Sequence, residues 1–103
     1  VLRCDGLLPM CMDGSDFRAT THEDIPAMLA WLRERGGAGP GFDVVMEGET
    51  PADDRDGAMA IVKPWAEAGC TWWIETRWAL PHLAAERAQQ VRERLAAGPP
   101  TID

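Results

Sequence analysis

Acidic residues close each of three short apolar segments in the sequence. Asp5 ends VLRCD, Glu47 ends FDVVME, and Glu75 ends CTWWIE. If the segments are parallel strands, their carboxyl ends meet at one mouth, where strand tips and the loops after them build binding and active sites. Together with the adjacent Gly48 and with Trp73, these carboxylates are the predicted ligand-binding residues. The spacing assigns no catalytic residue.

The same carboxylates also have a purely structural interpretation. Each would cap neighbouring backbone amides or pair with an arginine, namely Arg3, Arg77 or one in a missing segment. In that case the glutamates stabilise the ends of strands and contribute nothing to a ligand. Residue types and spacing leave both alternatives open.

Other chemical patterns are weak. His22 lies in a predicted helix cap and His82 in a predicted first turn, and neither has Cys or Asp at metal-ligand spacing, so we expect surface histidines. The stretch DGSDF lacks the later ligands of a calcium loop, and no glycine-rich phosphate loop occurs. Three cysteines without CxxC spacing favour free thiols in a reducing cytoplasm and no metal site: Cys4, Cys11 and Cys70.

Three strands are predicted to position the acidic residues, at 1–6, 42–48 and 70–76, while residues 7–19 are predicted to be a loop. A helical pattern follows each strand, and in the case of the first strand it comes after this loop. Strands that alternate with helices indicate βαβ units and a parallel sheet.

The first two helices have recognisable starts. Thr20 and Glu23 have capping-box spacing before the first helix, whose apolar stripe is Ile25, Met28, Leu29 and Leu32. Thr50 is the predicted cap of the second helix, with Pro51 at its first position. The buried stripe predicted for that helix is Ala58, Ile61, Val62 and Trp65.

The third helix is predicted to begin around Pro81 and to end before Gly98. Its apolar side carries Leu83, Ala84, Ala88, Val91 and Leu95. Its charged residues are interpreted as a solvated face and not as a phosphate site: Glu86, Arg87, Arg92, Glu93 and Arg94.

A short repeat assigns faces to the strands. Aligning Gly41 with Gly69 matches Glu47 to Glu75. Because side chains alternate across a strand, one set is entirely apolar and is predicted to lie under the helices: Phe42, Val44, Met46, Cys70, Trp72 and Ile74. The other set is predicted to face a barrel lumen: Asp43, Val45, Glu47, Thr71, Trp73 and Glu75.

Composition sets wider limits. The 103 residues fit one domain, and a net charge of −7 argues against nucleic-acid and anionic membrane partners. No apolar run approaches the ~18 residues of a membrane span, and no secretion signal is visible. Since the chain begins without methionine inside an apolar segment, we expect a truncated protein.

The quoted motifs then resemble a known family. CDGLLPM, FDVVMEGETP, PWAEAG, TWWIE and RERLAAGPP are similar to the carboxyl-terminal part of luciferase-like flavin-dependent oxidoreductases, and the similarity covers nearly all of the chain. Members of this family are (β/α)8 barrels, so residues 1–103 would be the last three βα units of a TIM barrel.

The resemblance implies FMN or coenzyme F420 at the barrel mouth, where it accepts or delivers hydride to a small organic substrate, sometimes with oxygen insertion. Asp5, Glu47, Gly48, Trp73 and Glu75 are the residues nominated for cofactor contact. Since earlier strands would supply most of that pocket, we expect the chain alone to be inactive. Its uncovered lumen face should also make it self-associate. The alternative is a non-catalytic interaction module that pairs through its open sheet.

Overall fold

A computed structural model describes residues 1–79 and 82–102 of the chain. The fold combines a parallel sheet, a separate hairpin and three helices. In chain order the elements are β1 (Gly6–Leu7), β2 (Cys11–Asp13), β3 (Asp16–Arg18), α1 (Asp24–Glu34), β4 (Asp43–Gly48), α2 (Arg55–Ala68), β5 (Trp72–Glu75) and α3 (Ala84–Ala97).

The central sheet has the order β1-β4-β5, and both strand pairs are parallel. β1 pairs with the start of β4, where Leu7 lies opposite Val44. β5 pairs with the rest of β4, from Val45 opposite Trp72 to Gly48 opposite Glu75. The predicted parallel strands, adjacent in chain order, are therefore confirmed.

The first strand is misplaced in the sequence prediction. Residues 1–5 form turns, with the Cys4 N–H donating to the Val1 carbonyl at 3.0 Å, and β1 begins only at Gly6. A Cβ added to Gly6 would lie 2.6 Å from the carbonyl oxygen of Asp43. Glycine is therefore required where β1 approaches β4 this closely.

Residues 7–19 contain an antiparallel hairpin where the sequence predicted a loop. β2 and β3 pair from Cys11–Arg18 to Asp13–Asp16, with Gly14 in the left-handed region at φ 63°. A glycine at the first position of a two-residue turn is a hairpin signal that the loop prediction overlooked. Two 2.8 Å hydrogen bonds from the Arg18 guanidinium to Asp24 connect the hairpin to α1.

The apolar stripe of α1 is buried as predicted, with Ile25, Leu29 and Leu32 in the core. The predicted capping pair is not observed. Instead, the pair one residue later interacts, and the Asp24 carboxylate accepts from the Thr21 N–H at 2.8 Å. This bond lies in the turn before the helix, and no side chain of the described residues caps the N–H groups of the first helical turn.

α2 begins later than predicted. Its N-cap is Asp54, whose carboxylate accepts from the Gly57 N–H at 2.8 Å, and Gly69 ends it at φ 115°. Thr50, the predicted cap, is instead buried and bonded to Glu75. Ala58 and Val62 are buried as expected, but Ile61 is exposed.

The core lies on one face of the sheet. Its buried residues come from α1, the following loop and β4: Ile25, Leu29, Leu32, Ala38, Val44 and Met46. Trp65 and Ala68 of α2 pack against this cluster, as does Trp73 of β5. α1 and α2 therefore cover the same face of the sheet, as successive βα units do.

The faces of β5 are opposite to those predicted. In the observed register Met46 lies beside Trp73, so Trp73 points towards the helices, and Trp72 is 61% exposed. The sequence repeat had placed Met46 level with Ile74, one residue away. A one-residue shift in register moves every side chain of a strand to the other face.

We use "open face" for the side of the sheet away from α1 and α2. Its residues on β4 and β5 are Val45, Glu47, Trp72 and Ile74. For β4 the predicted division holds, since Val44 and Met46 are buried and Glu47 is exposed. On β5, Trp73 was predicted to lie on this face, but Trp72 lies there instead.

α3 lies within the described residues, and none of its apolar side chains is buried. Leu83, Val91 and Leu95 are exposed, so the predicted apolar side does not pack against the sheet. Arg94, which was predicted to be solvated, points inward with 10% of its side chain exposed. The predicted start at Pro81 falls outside the described residues.

Candidate functional site

Glu75, the last residue of β5, is the centre of a polar cluster at the carboxyl end of the sheet. Its Oε1 accepts from the Thr50 N–H at 2.7 Å, and its Oε2 accepts from the Thr50 hydroxyl at 2.7 Å. The indole Nε1 of Trp73 lies 3.4 Å from Oε2. Glu75 therefore joins the end of β5 to the loop after β4.

Two arginines complete the cluster. A terminal nitrogen of Arg77 lies 3.5 Å from Oε1 of Glu75, and Nε of Arg94 lies 3.6 Å from Oε2. Arg77 also donates to the Thr50 carbonyl at 3.0 Å and lies 3.7 Å from Glu49. The cluster connects β5, the loop after β4 and helix α3.

The environment of Glu75 favours its ionised form. Burial raises the pKa of the carboxyl. Hydrogen bonds from Thr50 and Trp73 and the charge of Arg94 lower this pKa, and together they outweigh burial, so the pKa lies below its ordinary value. At neutral pH Glu75 is a fixed acceptor and a counter-charge. A general acid or base needs a pKa near the working pH, which this environment does not provide.

The sequence-predicted residues do not form one site. Trp73 and Glu75 meet on the helix side of the sheet, whereas Glu47 is exposed on the open face. Glu75 does what the structural interpretation described, since it caps a backbone amide and lies beside Arg77. Of the five nominated residues, only Glu47 lies on the face that a barrel lumen would use.

Asp5 lies at the wrong end of its strand for the predicted mouth. It precedes β1, and its carbonyl accepts from the N–H of Asp43, the first residue of β4, at 2.8 Å. Asp5 was predicted to close a strand, as Glu47 does, but β1 begins after Asp5. Asp5 therefore lies at the amino end of the sheet, away from Glu47 and Glu75.

Gly48 lies against the ring of Trp73. A Cβ at this position would be 2.6 Å from Cη2 of the indole and 2.8 Å from Cζ2. Gly48 thus allows the indole to lie over the end of β4, from where Nε1 reaches Glu75. Its role is the close approach of a side chain to the backbone.

We expect Gly48→Ala to lower the free energy of unfolding by about 1–3 kcal/mol, because the added methyl forces the indole to shift. Urea denaturation followed by circular dichroism measures the change. Gly39→Ala is the matched control, since a Cβ there would have no heavy atom within 4 Å. Equal stability of the two variants would contradict the contact between Gly48 and Trp73.

Sequence reasoning missed two members of the cluster. Thr50 resembled a helix cap because it precedes Pro51, and Arg94 resembled one of several solvated charges. The signal for Thr50 was the stretch Pro51–Asp54, which offered Asp54 as a better cap nearer the helix. No local pattern distinguishes Arg94 from Arg92.

A cleft of about 420 Å³ adjoins the cluster, between the end of β5 and α3. Its lining combines charged and apolar residues: Glu75, Arg77, Val91, Arg94, Leu95, Gly98 and Pro99. The volume falls within the range of small-molecule sites. In position and lining it is a candidate binding site of the described chain.

The described residues provide limited means for other chemistry. In residues 1–79 and 82–102 no three His, Cys, Asp or Glu side chains converge to hold a metal ion. Burial raises the pKa of the Cys70 thiol, which disfavours the reactive thiolate. No helix in the described part of the chain is long and apolar enough to cross a membrane.

No protein-family model, curated protein or solved structure matches the chain. The fold and the site are therefore the basis for any functional proposal.

Proposed function

We propose that the chain is the carboxyl-terminal segment of a (β/α)8 barrel, in a cytoplasmic luciferase-like oxidoreductase that uses FMN or F420. The observation that supports this proposal is the sheet itself. Its three parallel strands follow chain order, α1 and α2 cover one face, and the opposite face exposes the apolar side chains of Trp72 and Ile74. In a complete barrel that face would be filled by side chains of the other strands.

The open face has the composition expected of a lumen. Trp72 and Ile74 are exposed side by side with Val45 and Glu47 on the neighbouring strand. Burial of apolar area contributes roughly 25 cal/mol per Å², so an exposed tryptophan and isoleucine forgo several kcal/mol. Covering by further strands would recover this free energy.

The residues present fit part of a flavin site. The open face offers the indole of Trp72 as apolar contact area and Glu47 as a polar group at the carboxyl end of β4. Bound there, the flavin would supply hydride transfer, while Trp72 would contact it and Glu47 would accept a hydrogen bond. Trp73 and Glu75 were also predicted to contact the cofactor, but both lie on the helix side of the sheet and not on the open face.

We expect the 103-residue chain to show no stoichiometric flavin binding, since earlier strands would supply most of the cofactor pocket. Absorbance and fluorescence titrations with FMN and F420 measure this. The control is the product of any longer reading frame that extends upstream of Val1, which should bind one of the two cofactors saturably.

Two results would contradict the proposal. One is stoichiometric binding by the 103-residue chain, because it would show that the missing strands are not needed. The other is an upstream sequence that does not encode the earlier βα units of a barrel.

A non-catalytic interaction module is the second candidate. The exposure of Trp72 and Ile74 favours it as well, because an apolar sheet face is a suitable surface for a second copy or another protein. In that case the chain would associate through its open face and no cofactor would be involved. Light scattering of the purified chain and of Trp72→Thr tests this surface.

A further inference from the structure

Two arginines beside the 420 Å³ cleft have few hydrogen-bond acceptors. Arg94 is nine-tenths buried, yet among the described residues it donates no hydrogen bond. Nε of Arg77 is buried without a partner, and this side chain donates one hydrogen bond, to the Thr50 carbonyl. Each guanidinium carries five N–H donors, so most of these donors lack a protein acceptor.

Glu75 does not satisfy these donors. Its oxygens accept from Thr50 and Trp73, and they lie 3.5 Å from Arg77 and 3.6 Å from Arg94. Charge-assisted hydrogen bonds between such groups are usually near 2.7–2.9 Å. Glu75 therefore balances charge at a distance but leaves most donors of both guanidiniums without a protein acceptor. Among the described residues, Nε of Arg77 is the one such donor that is also shielded from solvent.

The charge inside the cluster is positive, with two guanidiniums against the one carboxylate of Glu75. A second carboxylate, Glu49, lies 3.7 Å from Arg77, but its side chain is 47% exposed. Solvent and salt screen an exposed charge of this kind much more than a buried one. The cleft therefore has a net attraction for an anion.

The remaining walls of the cleft are apolar, with Val91, Leu95 and Pro99 beside the arginines. We propose that this cleft binds a small amphipathic anion, with its phosphate or carboxylate oxygens at Arg77 and Arg94 and its apolar body against Val91 and Leu95. The planar guanidinium matches the oxygens of either group, which gives the head group its orientation. The site lies on the helix side of the sheet and does not depend on the flavin proposal.

Nuclear magnetic resonance of the arginine Nε–H groups tests the site in the unmodified chain. Phenyl phosphate and benzoate are the probes, inorganic phosphate tests the head group alone, and chloride at equal ionic strength is the control. We expect saturable shifts at Arg77 and Arg94, with phenyl phosphate bound more tightly than inorganic phosphate. Comparison of phenyl phosphate with benzoate shows which head group the site prefers.

Two variants of α3 then locate the binding. Arg94→Gln should weaken phenyl phosphate binding about tenfold or more, because a charge-assisted hydrogen bond is lost. Arg92→Gln is the matched control, since Arg92 is exposed on the same helix. This variant should bind phenyl phosphate with the affinity of the unmodified chain.

The proposal is overturned if neither phenyl phosphate nor benzoate gives a saturable shift in the unmodified chain. Equal affinity of Arg94→Gln and Arg92→Gln would overturn it too. If circular dichroism shows that Arg94→Gln is unfolded, the titration of the unmodified chain decides alone.

Discussion

Replacing Trp73 with threonine is expected to lower the free energy of unfolding by about 3 kcal/mol, whereas Trp72→Thr should change it by less than about 1 kcal/mol. Trp73 packs against the core, lies at a ring distance of 6.4 Å from Trp65, and donates to Glu75. Trp72 is 61% exposed on the open face. The two tryptophans are neighbours of identical type, so each variant is the control for the other.

Urea denaturation of both variants measures the difference. Light scattering of the same samples should show less self-association for Trp72→Thr, because this substitution removes exposed aromatic surface from the open face. A larger loss of stability for Trp72→Thr would mean that the faces of β5 are the ones suggested by the sequence repeat.

Glu75→Ala is expected to lower the free energy of unfolding by about 3 kcal/mol. The substitution removes the acceptor of the Thr50 N–H and hydroxyl and leaves Arg77 and Arg94 without their shared counter-charge. Glu47→Ala is the matched control, because Glu47 also lies near the end of a strand but is exposed, and its loss should cost less than about 0.5 kcal/mol.

The pH dependence gives an independent test of Glu75. Its pKa lies below the ordinary value of 4.5, so its ionised form stabilises the fold above that pH. The contribution is lost as the pH falls through the lowered pKa. The stability gap between the unmodified chain and Glu75→Ala should therefore narrow on acidification, and a constant gap would contradict the role of the ionised carboxylate.

The sequence predicted the buried side of an element correctly where apolar residues recur with the period of that element. The α1 stripe recurs at helical spacing, so its period indicates the buried side of the helix directly. In β5 the consecutive residues Trp72, Trp73 and Ile74 are all apolar. Alternation then cannot distinguish the two faces, and the register with β4 decides.

The candidate site was predictable in its centre but not in its partners. Glu75 stands out in the sequence because it ends an apolar segment, and Arg77 follows closely enough to be a predicted partner of its carboxylate. Thr50 and Arg94 come from other elements, and only the fold brings them to Glu75. Asp5 was misplaced because an acidic residue after a short apolar segment does not show whether a strand ends or begins there.

The attachment of α3 has a consequence for motion. Its side chains contribute no buried apolar residue, and polar contacts join this end of the chain to the rest, through Arg94 with Glu75 and Thr101 with Arg55. Free energy of local opening follows the apolar area that an element buries, so it is small for α3 and larger for α1. Transient release of α3 would admit solvent to Glu75 while the cluster around Ile25 stays folded, so the chain would exchange its amide hydrogens as two units.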